Sequence, residues 1–146
     1  MSDQLIRNIR KSIRGLNQSY GVFDEKTWTR FGITYALSQV LFAIKEAEAP
    51  VAKALSETLR IDKSTTSRFL ARLHKQKLIA YGEVPEDGRS KRVALTREGK
   101  ALLMQLDQFG DQKTREALKG MNAQEIRDVE AALAKLERGL RKGSSL

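Results

Sequence analysis

Apolar residues recur along the chain in two rhythms, and the change from one to the other separates helices from a single hairpin. Ile6, Ile9, Ile13, Leu16 and Tyr20 alternate three and four apart, which lays a narrow stripe along a helix from Ser2 to about Tyr20. The pattern breaks between Gly21 and Gly32, read as loop or a short turn. A second helix is expected to open at Thr34, whose hydroxyl can cap it, and to carry Leu37, Val40, Leu41 and Ile44 as far as Ala47. Pro50 suits the first residue of a third helix, where its missing N–H costs nothing, with Val51, Ala54, Leu55 and Leu59 as the buried stripe. Asp62 then reads as the N-cap of a fourth helix through about Lys77.

Past Leu78 the period shortens to two. Ile79, Tyr81 and Val84 alternate, Pro85-Glu86-Asp87-Gly88 makes a turn, and Val93 and Leu95 alternate again, which together predict a β-hairpin. Thr96 can cap the next helix, with Leu102, Leu103, Leu106 and Phe109, continuing past Gly110 to Leu118. Asn122 and Glu125 form a capping box for a last helix, whose Ile126, Val129, Leu133, Leu136 and Leu140 repeat the three-four stripe of the first. The expected fold is mainly α with a small β-hairpin wing: a winged helix-turn-helix plus N- and C-terminal dimerisation helices. Residues 1–33 are assigned to the N-terminal helix and connector, 34–100 to the DNA-binding domain and 101–146 to the C-terminal helices.

Charge sharpens this picture. The 146 residues carry a net charge of +9, which favours a polyanionic partner. Ten basic and four acidic residues lie between Arg60 and Arg97, so six of the nine surplus charges fall in the helix-turn-helix and hairpin. At 100° per residue the fourth helix gathers Thr66, Phe69, Leu70 and Leu73 on one side and Ser64, Thr65, Arg68, Arg72 and Lys75 on the other. The second side suits the major groove: Lys63 and the hydroxyls can bond phosphates and base edges at close range, and Arg68 and Arg72 reach guanine or backbone oxygens. The hairpin tip offers Arg89, Lys91 and Arg92 to a minor groove, with Asp87 orienting the Arg89 guanidinium or shaping an Asp-Gly turn.

Asp87-Gly88-Arg89, followed by Leu95-Thr96 and Gly99, resembles the wing and helix-start signature of the MarR family, and Leu55-Ser56-Glu57 through Lys63-Ser64-Thr65-Thr66-Ser67-Arg68 to Leu73 is similar to that family's helix-turn-helix. The resemblance covers nearly the whole chain. It implies a dimeric, sequence-specific transcriptional regulator, usually a repressor, that grips a pseudo-palindromic operator in double-stranded DNA. By position, the DNA-binding residues are Lys63, Ser64, Thr65, Arg68, Arg72, Asp87, Arg89 and Lys91. Family members often release DNA on binding a small aromatic or phenolic effector, for which Tyr20, Trp28, Phe31, Tyr35 and the lone His74 are candidates. The terminal stripes are expected to intertwine with those of a second copy and set two recognition helices about one DNA turn apart.

The absence of cysteine removes disulfides, thiolate metal sites and thiol redox sensing, and no His/Asp/Glu cluster suggests a metal or any other cofactor. No catalytic constellation is present, so an enzyme is not expected. The N-terminus has no uninterrupted apolar run, which argues against a signal peptide or membrane span and for a cytoplasmic protein. Two rival readings remain: the DNA-binding front of a larger regulator fused to a catalytic domain, and an architectural protein that coats DNA without reading it.

Overall fold

The computed structural model describes residues 1–22, 24–83 and 91–143. The helices and strands follow in the order α1 (Asp3–Ser19), α2 (Glu25–Arg30), α3 (Tyr35–Glu46), α4 (Ala52–Leu59), α5 (Lys63–Lys75), β1 (Ile79–Glu83), β2 (Lys91–Leu95), α6 (Arg97–Ala117) and α7 (Ala123–Gly143). The mainly helical chain with one antiparallel hairpin is the winged helix-turn-helix architecture that the two rhythms predict. Two compact units divide it, Met1–Leu106 and Asp107–Leu146.

The core lies in the first unit. Leu37, Val40, Leu41 and Ile44 of α3 meet Leu55 of α4, Leu70 and Leu73 of α5, Ile79 and Val93 of the hairpin, and Leu103 and Leu106 of α6, all buried. Thr34 caps α3 by accepting the Leu37 N–H at 3.2 Å. Helices α4 and α5 cross over a buried hydroxyl pair, Ser56 Oγ and Thr66 Oγ1, 3.0 Å apart. Neither is orphaned: the two hydroxyl protons are shared among this contact and the carbonyls of Ala52, 3.1 Å from Ser56 Oγ, and Asp62, 3.0 Å from Thr66 Oγ1.

Two expectations are corrected. The segment read as loop or turn between Gly21 and Gly32 holds α2, capped by Asp24, whose side chain accepts from the Thr27 N–H and hydroxyl. Pro50 does not begin α4: Val51 is the N-cap. Pro50 instead gives its carbonyl to the Val93 N–H at 2.9 Å, and Val51 bridges to Arg92, so this short stretch adds to the hairpin edge.

The hairpin pairs Ile79 with Leu95 and Tyr81 with Val93. Its connection to the helices explains Leu95-Thr96-x-x-Gly99. Thr96 donates its N–H to the Leu78 carbonyl at 3.1 Å and its hydroxyl to the Lys77 carbonyl at 2.7 Å, while that hydroxyl accepts the Gly99 N–H at 3.0 Å. One threonine thereby caps α6 and ties it to the end of α5. Gly99 is required by the close approach: a Cβ there would overlap the Leu78 carbonyl oxygen and lie 3.1 Å from its carbon.

Helix α1 has no buried residue; Ile6 and Ile13 are half-buried and Ile9, Leu16 and Tyr20 exposed. In the second unit none of the described residues is buried, and the α7 stripe leaves Leu133 at 47% and Leu140 at 57% exposure. Asn122 and Glu125 form the expected reciprocal box, the Asn122 side chain accepting the Glu125 N–H at 3.0 Å and Glu125 the Asn122 N–H at 2.7 Å.

Candidate nucleic-acid interface

Helix α5 is shaped by what its two sides need. Thr66, Leu70 and Leu73 are buried, and Phe69 packs on the core. Lys63, Ser64, Ser67, Arg68, Arg72 and Lys75 are exposed on the other side, and Thr65 is half-buried. Asp62 starts the helix by accepting the Thr65 N–H at 2.7 Å. A left-handed residue ends it: Lys77, at φ 60°, lets the Leu78 N–H reach the Leu73 carbonyl at 3.0 Å and its own N–H reach His74 at 2.9 Å. The helix is thus fixed at both ends, with no acid within Lys63–Lys75.

The leading edge carries a hydrogen-bond network that sequence alone does not reveal. Asp62 accepts the Ser64 hydroxyl at 2.6 Å and the Thr65 hydroxyl at 2.9 Å, and Arg68 Nη2 donates to Thr65 Oγ1 at 3.0 Å. The Ser64 hydroxyl bond is the largest of the contacts that hold the Asp62 carboxyl well below the usual carboxylate range, followed by those from Thr65. Asp62 was expected only as a cap. Ser67, part of the helix-turn-helix motif but not among the expected DNA-binding residues, is exposed on the same side, three residues after Ser64 and one before Arg68.

Lys91, the first residue of β2, lines a hollow with Ser67 of α5 and Tyr81 of β1, so the turn-side half of the hairpin strands and the outer side of α5 share one surface. Arg92 points elsewhere, donating to the Ala49 carbonyl at 3.1 Å. Asp87 and Arg89 lie outside the described residues.

The five effector candidates fall into separate contacts. Trp28 donates its indole N–H to the Gly21 carbonyl at 2.8 Å and meets Tyr35 edge-on, with ring centres 5.3 Å apart. Phe31 packs on the core and lies under the Arg30 guanidinium at 5.0 Å. His74 instead meets the Tyr81 ring at 5.1 Å, and Tyr20 is largely exposed. Among the described residues, no group of His, Asp and Glu could hold a metal ion, and no helix is long and apolar enough to cross a membrane.

Residues 31–90 match the model of the MarR family. A MarR family protein from Bacillus stearothermophilus has the same fold, with a TM-score of 0.84 at 19% identity over 97% of this chain and 99% of that one. A mutant MarR from E. coli in complex with operator DNA is similar at a TM-score of 0.73 and 28% identity, over 92% of this chain and 99% of that one. Bordetella bronchiseptica BpsR, whose DNA binding is regulated by 6-hydroxynicotinic acid, is similar at 0.69 and 27% identity, over 92% and 99% of the two chains. No curated protein matches the chain.

Proposed function

We propose that this chain, whose residues 31–90 belong to the MarR family of transcriptional regulators, works as a homodimeric, sequence-specific DNA-binding repressor. The observation that carries the reading is the acid-free outer side of α5, a rigid helix whose opposite side is built into the core. Ser64, Ser67, Arg68 and Arg72 are short and long donors or acceptors on one exposed strip, as base and phosphate contacts in a major groove require. Lys63, Thr65 and Lys91 extend the contact, and Arg89, with Asp87 to orient it, enters the neighbouring minor groove. The likeness to a regulator in complex with operator DNA supports the same use of the fold.

Dimerisation is the role of the unburied seams on α1 and α7. Ile9, Leu16, Leu133 and Leu140 would otherwise stay in water, and each helix carries the narrow stripe of helices that pack on helices. The protein acts without catalysis, as a reader of DNA in the cytoplasm. Its effector is a small aromatic molecule taken up beside Trp28 and Tyr35, a reading supported by the ligand-regulated relative. Trp28 is the sole tryptophan, so its fluorescence reports binding directly.

Selection of bound duplexes from random DNA with the full chain tests the function. A recovered site with two inverted half-sites centred about 10 base pairs apart supports it. Equal affinity for selected and random DNA would leave only an architectural role.

A further inference from the structure

The carboxylate at the start of α5 is a puzzle on a surface that meets phosphate. Helix capping does not require its charge, since serine or asparagine caps about as well as aspartate, and a negative group there weakens attraction to DNA at every sequence. Its contacts show what the charge does. An ionised carboxylate can only accept hydrogen bonds, so in the 2.6 Å contact to Oδ1 the Ser64 hydroxyl must be the donor, and in the 2.9 Å contact to Oδ2 so must the Thr65 hydroxyl. Each hydroxyl has one proton, and both protons are spent.

What remains for DNA is therefore fixed. Thr65 Oγ1 gives one lone pair to Arg68 Nη2 at 3.0 Å, which helps hold that guanidinium against the helix. Ser64 is exposed and keeps its lone pairs alone. It can accept from a base but cannot donate to guanine O6 or N7, to thymine O4 or to a phosphate oxygen. In the major groove, hydrogen-bond donors on base edges are the exocyclic amino groups of adenine and cytosine.

Resting on the reading of α5 as the helix that enters the major groove, we propose that Asp62 is a specificity-determining residue that holds Ser64 as an obligate acceptor and so selects adenine or cytosine at one position of each half-site. Asp62 acts as a positioning residue, through Ser64. Its charge lowers affinity for DNA in general and removes the phosphate contact that a free serine would make at any sequence.

The test uses the full chain on its selected site, with each half-site position changed to all four bases, and compares wild type, Ser64→Ala and Asp62→Gly. Wild type is expected to prefer adenine or cytosine at one position by roughly three- to tenfold, the share of one hydrogen bond, and Ser64→Ala should flatten that position alone. Asp62→Gly removes both acceptor oxygens at a cap position that tolerates glycine, and so frees the Ser64 hydroxyl proton. That variant should admit guanine or thymine at the Ser64 position, keep the ranking elsewhere, and bind random DNA more tightly. A purely structural role for Asp62 would leave the base ranking unchanged. Wild-type ranking retained by Asp62→Gly, no effect of Ser64→Ala, or a preference for guanine or thymine at the Ser64-sensitive position would each overturn the proposal. Ser64→Ala leaves the Thr65 N–H on Asp62, so it remains informative if thermal melting shows Asp62→Gly to be poorly folded. Should wild type select no site at all, the reading of α5 fails and this proposal with it; a selected site indifferent to Ser64 sinks this proposal alone.

Discussion

Replacing Gly99 by alanine should destabilise the protein, although the same change in an open helix stabilises. The added Cβ would overlap the Leu78 carbonyl oxygen and stand 3.1 Å from its carbon, and both are backbone atoms that no rotamer change can move. Forcing a methyl group into packed structure costs about 1–3 kcal/mol. Moving α6 away would also stretch the Thr96 bonds to Leu78 and Lys77, each worth about 1 kcal/mol. Against this stands a gain of about 1 kcal/mol from removing a helical glycine. The net is a loss of roughly 1–4 kcal/mol, which moves a urea midpoint down by about 1 M at ordinary slopes. Gly110, in the same helix, has nothing within 4 Å of a built Cβ, so Gly110→Ala should shift the midpoint upward. Equal upward shifts for the two variants would refute the seating of α6 on the Leu78 carbonyl.

Thr66→Val removes the hydroxyl that pairs with Ser56 and should cost about 1–2 kcal/mol in urea unfolding, with Ser56 keeping its bond to Ala52. The Asp62 carboxyl is held below its unfolded value, so its stabilisation is complete above that value and is lost as pH falls through the folded one. The melting-temperature gap between wild type and Asp62→Asn should accordingly stay constant from neutral pH to about pH 5 and narrow progressively as pH falls below about 4. Leu136→Asp, in the α7 stripe, should reduce the mass seen by light scattering from two chains to one; an unchanged dimer would remove α7 from the interface.

Elements with long stripes could be read from sequence because many residues vote for one side. The outer and inner sides of α5 came directly from 100° steps, and Thr34, Asp62 and the Asn122–Glu125 pair announced helix starts by chemistry local to the chain. Helix α2 escaped because six residues give no stripe, and its cap, Asp24, sits in a glycine-flanked segment that reads as loop. Pro50 misled because helix starts and strand edges both tolerate a missing N–H; its carbonyl partner, Val93, lies 43 residues along the chain. At the interface, sequence supplied Lys63, Ser64, Thr65, Arg68 and Arg72 as residue types in a pattern. It did not supply the direction of their hydrogen bonds, because that depends on which hydroxyls the Asp62 carboxylate reaches in space.

The central claim is that two copies of α5 lie in two major grooves on one face of a duplex. Protection of guanine N7 from methylation reads that groove directly, while methylation of adenine N3 reports the minor groove. With the selected site and the full chain, the account predicts two clusters of protected N7 atoms about 10 base pairs apart, both lost in Arg68→Ala/Arg72→Ala at the same protein concentration. A single cluster, protection confined to adenine N3, or two clusters that survive the double substitution would contradict it.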